Sequence, residues 1–390
     1  MMRTWILSLL VLLSGCAHVG QPPVSTSRIA ALLDDAAFPP PAARVDADGL
    51  FALSPAMRHH LNSTAFRTLL RENGQASGLL RALYDRHELA LDYDSTYTGT
   101  AAETYAARKG NCLSLVIMTA AFARELGMSV RFQEVQVEET WSRDRALYLV
   151  SSHVNLVLGA GGPRGDYDTS AILTVDFVPL PPQASERVRF LDEADIVARY
   201  MNNRAAEELA QGRYTDAYWW ARGALLKKPA LTAALNTLGV VYERSGRSLL
   251  AEQVYRAALD QEPDSLVVMQ NLAPVLAANG KGTESAALAQ RLARLYPAPP
   301  YHYFDQGMRA YTAGRFAEAR ALFAREVARA PYNDEFHFWL GIANMQLGEL
   351  GTAEKQLALA RDTSVRGETR ERYSAKLAHL RGIGAGTRRN

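Results

Sequence analysis

A chain of 390 residues is long enough for two or three domains, each with a core of its own. With 48% apolar and 22% charged residues, its composition is that of globular protein and not of a disordered chain. The formal net charge is +2 and no run of five or six basic residues occurs, which argues against the clustered Lys and Arg that nucleic-acid phosphates require.

Residues 1–15 begin with Arg3 and continue with an apolar stretch from Trp5 to Leu13, interrupted by Ser8. The stretch is too short to span a bilayer and reads as a secretory signal peptide. Leu13-Ser14-Gly15-Cys16 comes next and resembles the lipobox of bacterial lipoproteins. The resemblance implies cleavage before Cys16 and diacylation of its thiol; an ordinary signal peptide cut nearby is the alternative. Ala17 stands where an inner-membrane retention signal favours Asp, so the same resemblance implies an outer-membrane anchor on the periplasmic face. Residues 16–46 contain Pro22-Pro23 and Pro39-Pro40-Pro41 and read as a lipidated cysteine followed by a flexible tether.

Residues 47–190 form the next unit. Leu50, Leu53 and Met57, then Phe66, Leu69, Leu70, Leu79, Leu80 and Leu83, recur at helical spacing. Ser54-Pro55 marks a helix start. A further helix is predicted from Leu113 to Leu126, stopped by Gly127. The segments from Val130 to Val137, Ala146 to Leu158 and Ala171 to Val178 are rich in β-branched and aromatic residues and read as strands. The last two should form a hairpin across the Gly-rich connector, and Pro179, Pro181 and Pro182 should close the unit. Helices followed by an antiparallel sheet predict an α+β domain.

Residues 198–367 repeat. Gly212, Gly246, Gly280, Gly314 and Gly348 stand 34 residues apart, and so do Pro229, Pro263, Pro297 and Pro331. Ala217, Ala251, Ser285, Ala319 and Ala353 make a third series; Ala205, Gly239, Ala273, Gly307 and Gly341 make a fourth. Small residues permit close helix packing, Gly occupies the turn, and Pro ends the second helix. The pattern matches that of tetratricopeptide repeats and predicts an all-α solenoid of five hairpins. Pro274 and Gly282 should make the third unit the softest. Residues 368–390 are expected to form a capping helix and a disordered tail.

Two cysteines are present, Cys16 and Cys112. If the first carries lipid, the second has no partner within the chain, and a lone thiol in an oxidising compartment is buried or used. Gly110-Asn111 before Cys112 places the thiol at a helix N-terminus, where free N–H groups and the dipole favour thiolate. His153 and Asp176 fall on predicted neighbouring strands. Thr104, the run from Arg108 to Cys112, the helix from Ala121 to Met128, the His153 strand and Val175-Asp176-Phe177 together resemble the transglutaminase-like superfamily, whose site is of papain type. The resemblance implies Cys112 as nucleophile, His153 as base and Asp176 as the group orienting the imidazole, acting on amide or peptide bonds as a hydrolase or acyl-transferase. The Cys112 N–H would be one oxyanion donor, with Tyr93 or Tyr97 as the second. Val154-Asn155-Leu156 after the histidine depart from the family's usual aromatic residue. A buried structural Cys112 and a core His153 are the competing readings.

In tetratricopeptide arrays a set of first-helix positions lines a concave groove. Here these are Asn202, Asn236, Gln270, Phe304 and Phe338, flanked by Tyr301, Met308 and Ile342. That predicts a groove polar at one end and apolar at the other, suited to a protein or peptide partner. The alternative is that the apolar end packs against the capping helix or the first domain. No cofactor is expected, and the adjacent His59-His60 diverge on a helix, which makes them a poor metal pair. Two functions stay open: a lipid-anchored, transglutaminase-like cysteine enzyme, or a non-catalytic envelope scaffold using both halves to bind proteins.

Overall fold

The computed structural model describes residues 26–85, 89, 91–144, 147–159, 173–177, 187–364 and 367–387. Cys16, the signal segment, Asp166, Asp168 and the side chain of His153 lie outside the described residues.

Helix α1 (Thr26–Leu32) and a 3₁₀ turn (Asp35–Ala37) come first. Ser54 caps α2 (Pro55–Asn62) by accepting from the Met57 N–H at 3.2 Å, as the Ser-Pro pair predicts. Helices α3 (Thr64–Asn73) and α4 (Gln75–Tyr84) pack closely where Gly78 meets the α3 backbone; a Cβ there would lie 2.6 Å from the Leu69 carbonyl oxygen. After β1 (Asp92–Tyr93), α5 (Ala101–Ala107) begins in a capping box of Thr100 and Glu103. Then come β2 (Lys109–Gly110) and α6 (Cys112–Glu125). Every residue of α6 from Cys112 to Ala123 is buried. A helix that is apolar all round must be covered all round, and α6 is the centre of the first half. Gly127 ends it at φ +72°, as expected.

On one side of α6 stand Phe66, Leu79 and Leu83; on the other is a four-stranded antiparallel sheet that presents Phe132, Val154, Leu156, Leu158 and Val175. Its strands are β3 (Ser129–Asp144), β4 (Leu147–Gly159), β5 (Leu173–Val175) and β6 (Arg187–Leu191), ordered β5-β4-β3-β6. The β4–β5 hairpin follows the expected pairing, with Leu156 opposite Val175. Strand β6 is a correction, because the sheet does not close at the prolines after β5. Arg187–Leu191 joins the free edge of β3 and leaves Val188 and Phe190 exposed on its outer side. Of the described side chains of this edge strand only Leu191 is buried, so its sequence carries little strand signal, and Arg189 pairs with Glu134, the residue opposite it, at 2.6 Å.

The array follows: α7 (Glu193–Ala210) with α8 (Tyr214–Lys227), α9 (Thr232–Arg244) with α10 (Ser248–Gln261), α11 (Leu266–Ala278) with α12 (Gly282–Leu295), α13 (His302–Thr312) with α14 (Phe316–Arg329), and α15 (Asp334–Gln346) with α16 (Leu350–Thr363). The five turn glycines all adopt positive φ, between 74° and 78°. The fourth sequence series acquires a reason. A Cβ on Gly307 would lie 2.6 Å from the Phe323 ring, and one on Gly239 would overlap Tyr255. Where the first helix has Ala instead, at Ala205 and Ala273, the residue 16 positions on is also Ala, at 221 and 289. Small meets large, or medium meets medium. The third unit is the thinnest: α12 has no fully buried residue, whereas α8, α10, α14 and α16 each do.

Two expectations at the ends of the chain are corrected. Residues 26–42, read as part of a free tether, are strapped onto the first two repeat units. Ile29, Leu32 and Phe38 are buried, and Phe38 stacks on Tyr218 with centroids 4.1 Å apart. The Trp219 indole donates to the Pro39 carbonyl at 2.7 Å, and Tyr242 donates to Leu32 at 2.8 Å. Three apolar residues among prolines suffice once a matching surface exists, and that surface is non-local. At the other end, α17 (Gly367–Thr387) runs through most of the segment expected to be disordered.

The two halves share one core. A continuous cluster of buried residues runs from Ile29 through α6 and the sheet to Leu276 in the third unit. Polar joints reinforce it: Arg199 of α7 pairs with Glu134 of β3 at 2.7 Å, both largely buried, and Arg124 of α6 with Glu193 at 2.9 Å. Farther along, Glu252 of α10 is 4% exposed and is held by Lys281, Asn279 and Arg256 across the joint between the second and third units.

Two outcomes are expected. Gly239→Ala should destabilise the protein by about 1–3 kcal/mol through overpacking, and Tyr255→Ala by about 3–5 kcal/mol through a cavity. The double variant copies the Ala–Ala arrangement of the first and third units and should cost clearly less than the sum in a urea-unfolding cycle. Burial opposes ionisation of Glu252, but its three hydrogen-bonding partners outweigh this and lower its pKa from 4.5 to about 2. This stabilisation is complete above pH 4.5 and is lost as pH falls towards 2; its size is about 2–3 kcal/mol. Glu252→Gln should flatten that part of the stability–pH curve, measured by thermal unfolding between about pH 2 and 6.

Candidate functional site

The approach to the thiol is built by backbone. Strands β1 and β2 pair in parallel, with Tyr93 beside Gly110, and the Asn111 N–H donates to the Tyr97 carbonyl at 2.9 Å. A side chain at Gly110 would collide with Ser114, its Cβ lying 2.7 Å from the serine Cβ. Asn111 caps α6: its Oδ1 accepts from the Ser114 N–H and hydroxyl, both at 2.9 Å, and its Nδ2 donates to the Thr98 hydroxyl at 2.7 Å. Gly99 N–H donates to the Ser114 hydroxyl at 3.0 Å. Cys112 is thereby the first residue of α6, as the sequence predicts, and it is 7% exposed.

The N–H groups of Val154, Leu113 and Cys112 itself face the sulfur and favour its charged form. The sequence-based expectation of a lowered thiol pKa is nevertheless corrected. Burial is the largest influence, the Asp176 carboxylate adds to it, and together they raise the Cys112 thiol above its ordinary value. Sequence shows the helix N-terminus but not how completely the helix is enclosed.

Val154 directly follows His153, whose backbone lies in β4 opposite Val135. The structure therefore brings the His153 position alongside Cys112. Asp176 sits one residue beyond the end of β5, not within the strand as predicted, and it is exposed, but its charge acts on the thiol. Of the two tyrosines considered for the site, Tyr93 is the one beside Cys112: burial raises its phenol pKa, and the Cys112 N–H faces its oxygen. Tyr97 turns towards Lys109, whose ammonium lies 5.7 Å from the ring centroid. Sequence reasoning passed over Asn155, which is 3% exposed with an Oδ1 that accepts no hydrogen bond among the described residues. A polar residue inside an apolar strand was the available signal.

Along the array, Asn202, Asn236 and Gln270 lie at one repeat position on α7, α9 and α11 and are half-buried. Asn236 accepts from Asn271 at 2.9 Å. The carbonyl oxygens of Asn202 and Gln270 are buried without a hydrogen-bond partner among the described residues. The apolar end differs from expectation. Tyr301 and Phe304 are 2% and 1% exposed and form a core shared by the fourth and fifth units with Phe323 and Phe336. Pro299-Pro300 is the cause: neither proline has an N–H to give, α13 starts only at His302, and Tyr301 caps it at φ +64°. Met308 and Phe338 remain half-buried, and Ile342 is 7% exposed. Phe338 stacks on Tyr373 of α17 at 4.8 Å, so the capping helix takes part of this surface. No cluster of three or more metal-ligating side chains occurs among the described residues.

A tetratricopeptide-repeat family model matches residues 236–301, 270–334 and 304–364. The repeats of the C-terminal half are thus tetratricopeptide repeats, and they form an all-α solenoid. Among solved structures, the chain is similar to YrrB, described as a TPR protein with an unusual peptide-binding site. The identity is 18%, covering 46% of this chain and 92% of that one, with a TM-score of 0.26. A thermophilic TPR protein of Thermus thermophilus matches at 19% identity, over 46% of this chain and 99% of its own, with a TM-score of 0.30. PilF of Pseudomonas aeruginosa matches at 17% identity, over 48% and 94%, with a TM-score of 0.28. No curated protein matches the chain. Tetratricopeptide arrays bind protein or peptide partners, and this array is a protein-interaction module.

Asn111→Ala should lower stability by about 1–2 kcal/mol, since it removes a helix cap. In the parent protein, iodoacetamide should alkylate Cys112 with a pH midpoint above the ordinary thiol value, followed by mass spectrometry of the intact chain.

Proposed function

We propose that this protein is a scaffold of the bacterial envelope, a lipoprotein whose tetratricopeptide groove holds an extended segment of a partner protein. The observation that carries this reading is the row Asn202, Asn236 and Gln270 at one repeat position on three successive first helices, two of whose carbonyl oxygens have no hydrogen-bond partner among the described residues. Side-chain amides at a regular spacing suit the N–H and C=O groups of an extended backbone. The anchor rests on Leu13-Ser14-Gly15-Cys16, with the outer membrane inferred from Ala17.

Replacing Asn202, Asn236 and Gln270 together by Ala should abolish co-purification of the partner while leaving the unfolding temperature within a few degrees. Unchanged co-purification would sink the groove reading. Cys16→Ser should move the protein from the membrane to the soluble fraction; a protein that stays in the membrane would refute the lipid anchor.

A second reading is favoured by one geometric fact, the position of Cys112 at a helix N-terminus against the strand residue that follows His153. In it, the first half is a transglutaminase-like enzyme. The Cys112 sulfur attacks an amide carbonyl, and His153, held by Asp176, accepts the thiol proton and returns it to the departing amine. Water or a second amine then resolves the thioester. The Cys112 N–H and the Tyr93 hydroxyl would face the oxyanion. An electrophilic thiol probe tests it: labelling near neutral pH that His153→Ala abolishes supports the enzyme, and equal labelling of both forms rejects it.

A further inference from the structure

At the far end of the array, α13, α15 and α17 line an open cleft of about 480 Å³. Its floor is apolar, made by Tyr311, Phe338 and Ile342, and its α17 wall carries Arg372, Lys376 and His379. These three residues lie at helical spacing on one face of α17, so their side chains line a single rim. Lys376 and His379 make no hydrogen bond or ion pair with any described residue, and Arg372 lies over the Tyr373 ring, 5.5 Å from its centroid. Asp334 and Glu335, at the start of α15, act on the Tyr373 phenol. All the lining comes from first helices and the capping helix, so the cleft continues the groove that carries Asn202, Asn236 and Gln270.

We infer that this cleft takes a large apolar side chain of the partner's extended segment, and that the rim pairs with an Asp or Glu next to that side chain. The inference rests on the groove reading above and makes the partner specific: an extended peptide with an aromatic or long aliphatic residue followed at once by acidic side chains. The floor supplies most of the affinity by excluding water, and the rim selects the sign of the neighbouring charge. A membrane is the rival occupant, since a basic rim around an apolar cleft also suits anionic lipid.

The test uses the full chain and a fluorescein-labelled peptide with blocked ends and the central sequence Phe-Asp-Glu, followed by fluorescence anisotropy. Replacing its Phe by Ser, or Asp-Glu by Lys-Lys, should weaken binding about tenfold or more, as expected for two exposed charge pairs reversed. The protein variant Lys376→Glu with His379→Glu should reject the acidic peptide and recover the Lys-Lys peptide, while Lys376→Arg should bind as the parent does. Equal affinity for acidic and basic peptides, no binding by the parent, or indifference to the charge reversal would overturn the inference. So would tighter binding of phosphatidylglycerol vesicles than of the peptide, lost in the same charge-reversal variant. If the pocket variants bind normally and the Asn202, Asn236 and Gln270 variant does not, the groove reading stands and the pocket assignment falls. If neither set matters, both fall.

Discussion

Helix α6 is apolar on every side, and a helix of that kind can exist in water only if other elements enclose it. Helices α3 and α4 cover one flank, the β3–β5 face covers the other, and α7 closes the end near Arg124. That enclosure is the constraint from which the first half follows. It fixes where the sheet lies, why β6 leads directly into the first repeat, and why the two halves share a core instead of meeting at a loose linker. It also decides the state of the one described thiol. The same burial that holds α6 in place works against a charge on Cys112, and it outweighs the helix N-terminus and the N–H groups aimed at the sulfur.

The shared core gives the array a fixed base. Unit one is held through α7 by α6 and the sheet, and the strap at Phe38 and Pro39 packs against units one and two. Beyond them the continuity thins. The third unit contributes no buried residue from α12, and the core resumes as a separate cluster around Phe304 and Phe336. The array is thus a well-anchored segment with polar groove positions followed, beyond the third unit, by an apolar segment built on its own core. A groove with two unlike ends matches a partner in sequence as well as in shape, because each end rewards a different residue type.

The thiol site and the groove are neighbours. The loop that carries Tyr97 and Thr98 lies between the start of α6 and the first helix of the array, and Glu207 of α7 interacts with Thr98. A segment bound along Asn202 therefore runs close to the elements that hold Cys112. For a scaffold this offers one continuous docking surface, and for an enzyme it offers a way to deliver a chain to the sulfur.

The repeat register, the turn glycines, the helix-ending prolines, the Ser54 cap and the position of Cys112 at the head of α6 were all legible in the sequence. Each depends on backbone geometry or on neighbours within a few residues, which composition and spacing report directly. What escaped it depends on contacts between distant parts of the chain. The docking of residues 26–42 needs Tyr218, Trp219 and Tyr242; the β6 strand needs the free edge of β3; and the raised Cys112 pKa needs the full enclosure of α6. The inward turn of Tyr301 and Phe304 stands between the two, since Pro299-Pro300 is visible in the sequence but its effect on the groove appears only when α13 is packed. The sequence by itself determined the local conformations and the repeat, whereas the tertiary structure alone decided what is buried, because burial is a property of the whole chain and pKa, groove and docking all follow from it.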